Sequence, residues 1–135
     1  DCIAWELKKK SYYNVGLVGT KPTMEEDYLI GRLQLHGINT TVPEHVTDRT
    51  KIYDIICNEL SYNVFKDDSR KRIIDIIKKL TESDAFACIS GCTEIELLVK
   101  QTDIPNVELF PSAQIHIKYI ADLLLGRLNI SKIQP

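Results

Sequence analysis

The residues best suited to chemistry lie in one short stretch, Gly91-Cys92-Thr93-Glu94-Ile95. It reads as a strand-to-helix turn. A thiol at the start of a helix meets unsatisfied backbone N–H groups and the positive dipole end, so the thiolate of Cys92 is expected to be favoured and its pKa to fall. The plain alternative is a small buried hydrophobe, the ordinary state of a free cysteine. Glu94 stands two residues further on. It can orient the thiol or accept its proton, or simply favour the helix start through its charge. A second polar turn, Gly19-Thr20-Lys21-Pro22-Thr23, has the same strand-to-helix character. Thr20, Thr23 and Thr93 add hydroxyl donors, and the two turns together suit a small carboxylate.

The other candidate residues carry weaker signals. Cys88 inside a strand and Cys57 on an apolar helix face read as buried hydrophobes. Cys2 says little. His36 and His45 fall near helix ends and read as solvent-facing or capping. His116 falls in the first turn of the last helix, either near the site or in a structural role. The Lys8-Lys9-Lys10 and Lys66 to Arg72 runs read as solvated faces. The 4 cysteines form no C-x-x-C pair and no zinc spacing, so free thiols in a reducing, cytoplasmic setting are expected. The sequons at Asn39 and Asn129 are expected to be chance occurrences.

These residues need elements to hold them. The chain has 135 residues, 44% of them hydrophobic and 27% charged, which suits one globular domain. A net charge of −2 gives no reason to expect nucleic acid or an anionic membrane as partner. No apolar run approaches the roughly 20 residues that span a bilayer. The first residue is Asp and the only methionine is Met24, so the chain reads as a piece of something longer or a processed form. Residues 1–10 read as the end of a helix and 14–19 as a buried strand. A helix is expected over 23–36, capped by Gly37. Ile38 to Val42 reads as a second strand, ended by Pro43. A helix over 46–61 is expected, with Ile52, Ile55, Ile56, Glu59 and Leu60 at i, i+3, i+4 spacing. Asp67 or Asp68 should cap another helix that runs to Leu80. Ala85 to Ser90 is apolar on both faces, as a central parallel strand is. A helix over Thr93 to Lys100, a strand over Val107 to Phe110 and a helix from Ser112 through Leu125 complete the order. The fold expected is α/β: a single three-layer domain with a parallel four-stranded sheet.

At this point the motifs resemble a known family. Gly91-Cys92-Thr93-Glu94-Ile95 with Leu97-Leu98 resembles the second cysteine motif of the aspartate/glutamate racemases. Val15 to Glu25 resembles their G-T-x-x-T-M segment. Glu59-Leu60 with Phe65 to Arg70 is similar to their helix-linking stretch, and Ile115-His116 to the start of their final helix. The resemblance spans roughly residues 14–120. It implies a cofactor-independent racemase of two similar α/β domains, of which this chain is one half. Each domain supplies one cysteine, on opposite sides of the substrate's α-carbon. One thiolate removes the α-proton, the other thiol donates to the opposite face, and the roles swap with direction. Carried over, Cys92 is one catalytic thiol and Thr93 a substrate-carboxylate contact. Thr20 and Thr23 line the pocket, and Glu94 is the acidic neighbour of the second cysteine.

The family's first cysteine, in a Cys-Asn-Thr context, has no match here. Residues 1–13 resemble a remnant of the inter-domain helix, 14–111 the C-terminal α/β domain, and 112–135 the final helix and tail. There are two departures. Ile30 stands where members often carry a basic carboxylate anchor, with Arg32 nearby as a scaffold residue. Pro111-Ser112 stands where the fourth strand usually ends in Asp followed by Thr or Ser. The partners implied are a dicarboxylic amino acid, the missing N-terminal racemase domain and, as one option, a second copy in a homodimer. Alternatives are a hydantoin racemase or maleate isomerase relative, or a degenerate non-catalytic binding domain. No metal, nucleotide or pyridoxal motif is visible, and Gly16 and Gly19 make no dinucleotide fingerprint.

Overall fold

A computed structural model describes residues 1–82 and 87–129. Four parallel strands form one sheet: β1 (Asn14–Val18), β2 (Asn39–Thr41), β3 (Ala87–Ser90) and β4 (Glu108–Pro111). Their order is β2-β1-β3-β4. The central pair is in register as Gly16 with Cys88, Leu17 with Ile89 and Val18 with Ser90. Every residue of β3 is buried, as the run of apolar residues requires of a strand covered on both faces.

Helices cover both faces. Val15 and Leu17 of β1 and Ala87 and Ile89 of β3 point one way. They pack against α1 (Cys2–Lys9), α3 (Asp27–Leu35) and α7 (Ser112–Leu124), which bury Ile3, Ala4, Leu7, Leu33, Ile115 and Tyr119. Val18 and Cys88 point the other way, against α4 (Val46–Asn58), α5 (Asp67–Thr81) and α6 (Thr93–Leu98). The period-2 alternation along the strands thus sorts the chain into two apolar cores. Gly16 is small for a reason. A Cβ there would lie 2.8 Å from Leu80 Cδ2 and 3.3 Å from Cys88 Sγ, so α5 could not approach the sheet.

Several boundaries differ from the sequence reading. The helix expected over 23–36 is two helices, α2 (Lys21–Glu25) and α3, with extended backbone at Glu26 (φ −106°, ψ 157°). Met24 belongs to one core and Leu33 to the other, and one straight helix cannot face both. The helix expected over 46–61 ends at Asn58, followed by a 3₁₀ turn over Leu60–Tyr62. Glu59 therefore leaves the apolar face; it accepts hydrogen bonds from Ser69 Oγ at 2.6 Å and Lys66 Nζ at 3.2 Å. The helix expected to reach Lys100 stops at Leu98, where Val99 turns extended. His36 is not solvent-facing; it is the C-cap residue of α3, its backbone N–H on the Leu33 carbonyl at 3.0 Å. It is 8% exposed, and its Nε2 lies 2.8 Å from Asp1 Oδ1. Ala85 and Phe86 of the expected third strand, the Asn129 sequon's remaining residues and the tail from residue 130 lie outside the described residues.

Candidate functional site

The strand order reverses direction between β1 and β3: from β1 the chain moves to β2 on one side, then to β3 on the other. In open parallel sheets the crevice at that switch point, beyond the carboxyl ends of the strands, is where ligands bind. Both polar turns lie there. Gly91 N donates to Val18 O at 2.7 Å. A Cβ on Gly91 would come within 2.8 Å of Thr23 Cγ2, and one on Gly19 within 3.0 Å of the same methyl. The two turns interlock around Thr23, and glycine is what permits it.

The turn after β3 carries an acid–base pair. Cys92 is the N-cap residue of α6 and is 8% exposed. Its Sγ donates to Glu94 Oε2 at 2.9 Å, and Thr93 Oγ1 donates to the same oxygen at 2.6 Å. The thiol is not acidified. Its pKa is pushed up to about 11, first by burial and then by the hydrogen bond to the Glu94 carboxylate. The backbone N–H groups of Glu94 and Ile95 do act in the direction expected of a helix start, but they are outweighed. The reason is local: α6 has 6 residues, too few for a strong dipole, and the nearest full charge is negative. Glu94 is held below the usual carboxylate range by the bonds from Cys92 and Thr93. At neutral pH the pair is a thiol facing a carboxylate.

The turn after β1 carries a chain of linked hydroxyls. Thr20 Oγ1 lies 2.8 Å from Thr23 Oγ1, which lies 2.8 Å from Tyr28 OH. Thr23 is buried, while Tyr28 is 61% exposed and ends the chain of hydroxyls at the surface. The structure thus brings Thr20, Thr23, Cys92, Thr93 and Glu94 to one end of the sheet. His116 lies exposed in the first turns of α7, after β4, and makes no hydrogen bond to these groups. Tyr28 was visible in the sequence only as a face of a long helix. Its return to Thr23 depends on the break at Glu26, which has no sequence signal of its own.

The remaining candidates are structural. Cys88 is fully buried, and burial pushes its thiol up to about 12. Arg32 forms a two-pronged pair with Asp1 at 2.7 and 2.9 Å, tying α3 to α1. Ile30 packs against the core on the α1 and α7 side. Among the described residues, no group of three or more His, Cys, Asp or Glu side chains is placed to hold a metal ion. Among the described residues, no helix is long and apolar enough to cross a membrane.

Fold and site together define a class: a three-layer α/β domain with a thiol–carboxylate pair and a hydroxyl cluster at the switch point of a parallel sheet. The model of the Asp/Glu/Hydantoin racemase family matches residues 1–120, and the chain belongs to that family. Similar solved structures include a Yersinia pestis protein described as a candidate Asp/Glu racemase, 37% identical with a TM-score of 0.86. The match covers 93% of this chain and 54% of that one. An aspartate racemase homologue from Pyrococcus horikoshii OT3 is 35% identical with a TM-score of 0.83, over 91% of this chain and 53% of that one. The aspartate racemase of Picrophilus torridus is 21% identical (TM-score 0.60, over 80% of this chain and 43% of that one) and shares the fold. The chain therefore spans about half the length of these relatives.

Proposed function

We propose that this chain is one half of a racemase for aspartate or glutamate, with Cys92 as one of two thiols that exchange a proton at the α-carbon. The observation that carries the reading is the Cys92–Glu94 hydrogen bond at 2.9 Å, beside the Thr20–Thr23–Tyr28 hydroxyl chain. As a protonated thiol, Cys92 is ready to donate. Its S–H bond breaks and a C–H bond forms on one face of the planar carbanion left when a second thiolate removes the opposite proton. In the reverse direction, Glu94 takes the Cys92 proton as the thiolate attacks the α-hydrogen. The hydroxyls of Thr20, Thr23 and Thr93 hold the substrate's carboxylates. The second thiol belongs to the missing N-terminal half, and the reducing cytoplasm is the setting that keeps both thiols free.

The test uses the complete protein in D₂O. Cys92→Ser should exchange the α-proton of one enantiomer while racemising poorly. Full racemisation by that variant would sink the reading. The 135-residue chain alone should be inactive, because one thiol cannot serve both faces; racemisation by it would show that no half-site is missing. Because the family model also takes in hydantoin racemases, the substrate panel includes aspartate, glutamate and a 5-substituted hydantoin.

A further inference from the structure

Glu96 is a buried carboxylate that the proposed chemistry does not use. It lies two residues beyond Glu94 on α6 but faces α7, and is 7% exposed. Its Oε1 accepts the backbone N–H of Ala113 at 3.1 Å, and Gln114 also hydrogen-bonds to the carboxyl. These are first-turn residues of α7. That helix has no side-chain cap of its own, because its N-cap residue is Pro111. The cap comes instead from another helix.

Helix α6 needs such support. With 6 residues it cannot be stable by itself. Its carboxyl end is tied down by Lys100 Nζ on the Glu96 carbonyl at 2.6 Å and by Arg70 Nε on the Leu98 carbonyl at 2.9 Å. Ile95 and Leu98 anchor one face in the core. Those contacts fix depth and one end. The opposite side of the helix borders a cavity of about 220 Å³ lined in part by Ser90, Lys100 and Gln114, and there the Glu96 carboxylate makes the link to the 13-residue helix α7.

The geometry points to Glu96 as a positioning residue: by accepting the N–H groups of α7's first turn, it sets the rotation of α6 and so the alignment of Cys92 with Glu94. Burial holds the Glu96 carboxyl above the usual range, which is tolerated because the acceptor oxygen, not the charge, makes the link.

The test reads Cys92 and Cys88 separately in the complete protein, by mass spectrometry of the two peptides after iodoacetamide treatment across pH. Glu96→Ala should loosen α6, break the Cys92–Glu94 bond and speed Cys92 alkylation about tenfold, the equivalent of one pKa unit. Cys88 should stay protected. Glu96→Gln keeps the volume and the one acceptor oxygen that Ala113 N–H needs, and should stay close to the parent protein. Unchanged Cys92 alkylation in folded Glu96→Ala would overturn the assignment. So would a parallel rise at Cys88, which reports general unfolding, or Glu96→Gln behaving like Glu96→Ala. If Glu96→Ala does not fold, Glu96→Asp, one methylene too short to reach Ala113, gives the same readings; failure of both to fold also overturns it. The kinetic arm rests on the racemase reading. There kcat should fall about tenfold in Glu96→Ala with little change in KM, and recover in Glu96→Gln. A Cys92 response without a kcat response would count against that reading and leave the positioning role standing.

Discussion

The turn after β1 and the turn after β3 begin alike. Each leaves its strand through a glycine and enters a short helix through an N-cap residue with β-region backbone, Thr20 (φ −66°, ψ 162°) in one and Cys92 (φ −145°, ψ 131°) in the other. They differ in what the N-cap side chain meets. Thr20 continues into a line of hydroxyls. Cys92 meets a carboxylate that is kept ionised. Threonine alcohols do not titrate in the physiological range, so Thr20 and Thr23 can orient and donate but not exchange a proton. The second turn can. One backbone device, used twice side by side, yields a hydroxyl turn and a thiol–carboxylate turn. Cys88, four residues upstream, shows that the thiol alone is not enough: it is sealed in the core without a carboxylate.

The largest test of this contrast replaces the thiol of the second turn by a hydroxyl and leaves Glu94 in place. Cys92→Ser in the complete protein should lower kcat by about 10²–10⁴-fold, the usual contribution of a positioned acid–base group. Steady-state racemisation measured by chiral chromatography checks it. Next comes the interlock. Gly91→Ala puts a methyl 2.8 Å from Thr23 Cγ2 and 3.1 Å from Leu17 Cδ1, and should cost about 1–3 kcal/mol in urea unfolding. Gly19→Ala, whose nearest contact is 3.0 Å, should cost less.

Glu94→Gln removes both the charge and the carboxylate acceptor that hold the thiol up. Cys92 alkylation at pH 8 should then quicken about tenfold, while burial keeps the thiol above its ordinary value. No change would mean that burial alone governs Cys92. Thr23→Val keeps the shape but severs the hydroxyl chain, and should cost about 1 kcal/mol and raise KM more than it lowers kcat. The smallest effect is on acid stability. The folded pKa of Glu94 lies below its unfolded value, so its contribution is present above the unfolded value and is lost as pH falls through the folded one. Glu94→Gln should therefore flatten the acid side of the Tm–pH curve.

Much of this was legible in the sequence because it is local. Alternation in Val15-Gly16-Leu17-Val18 and the unbroken apolar run at Ala87-Cys88-Ile89 announce buried strands. Glycine followed by small polar residues announces the turns. What failed was non-local. Nothing in residues 23–36 says that Met24 and Leu33 serve opposite faces of a sheet, so the break at Glu26 and the position of Tyr28 could not be foreseen. Glu59 sits at helical spacing yet serves Ser69 and Lys66, because the helix ends just before it. The fall expected in the Cys92 pKa followed from a helix-start argument that counts backbone groups but not burial.

The sequence by itself determined which polar side chains stand together. Cys92, Thr93 and Glu94 are neighbours in the chain, as Thr20 and Thr23 are, and their grouping needs no fold. Only the tertiary structure decided that the two groups meet, through the β1–β3 pairing and the contact of Gly91 with Thr23. It also decided that Cys92 rests as a thiol and that Glu96 links α6 to α7. The physical reason is the same in each case. Desolvation and contact between distant segments are properties of the packed molecule, and short-range pattern carries no record of them.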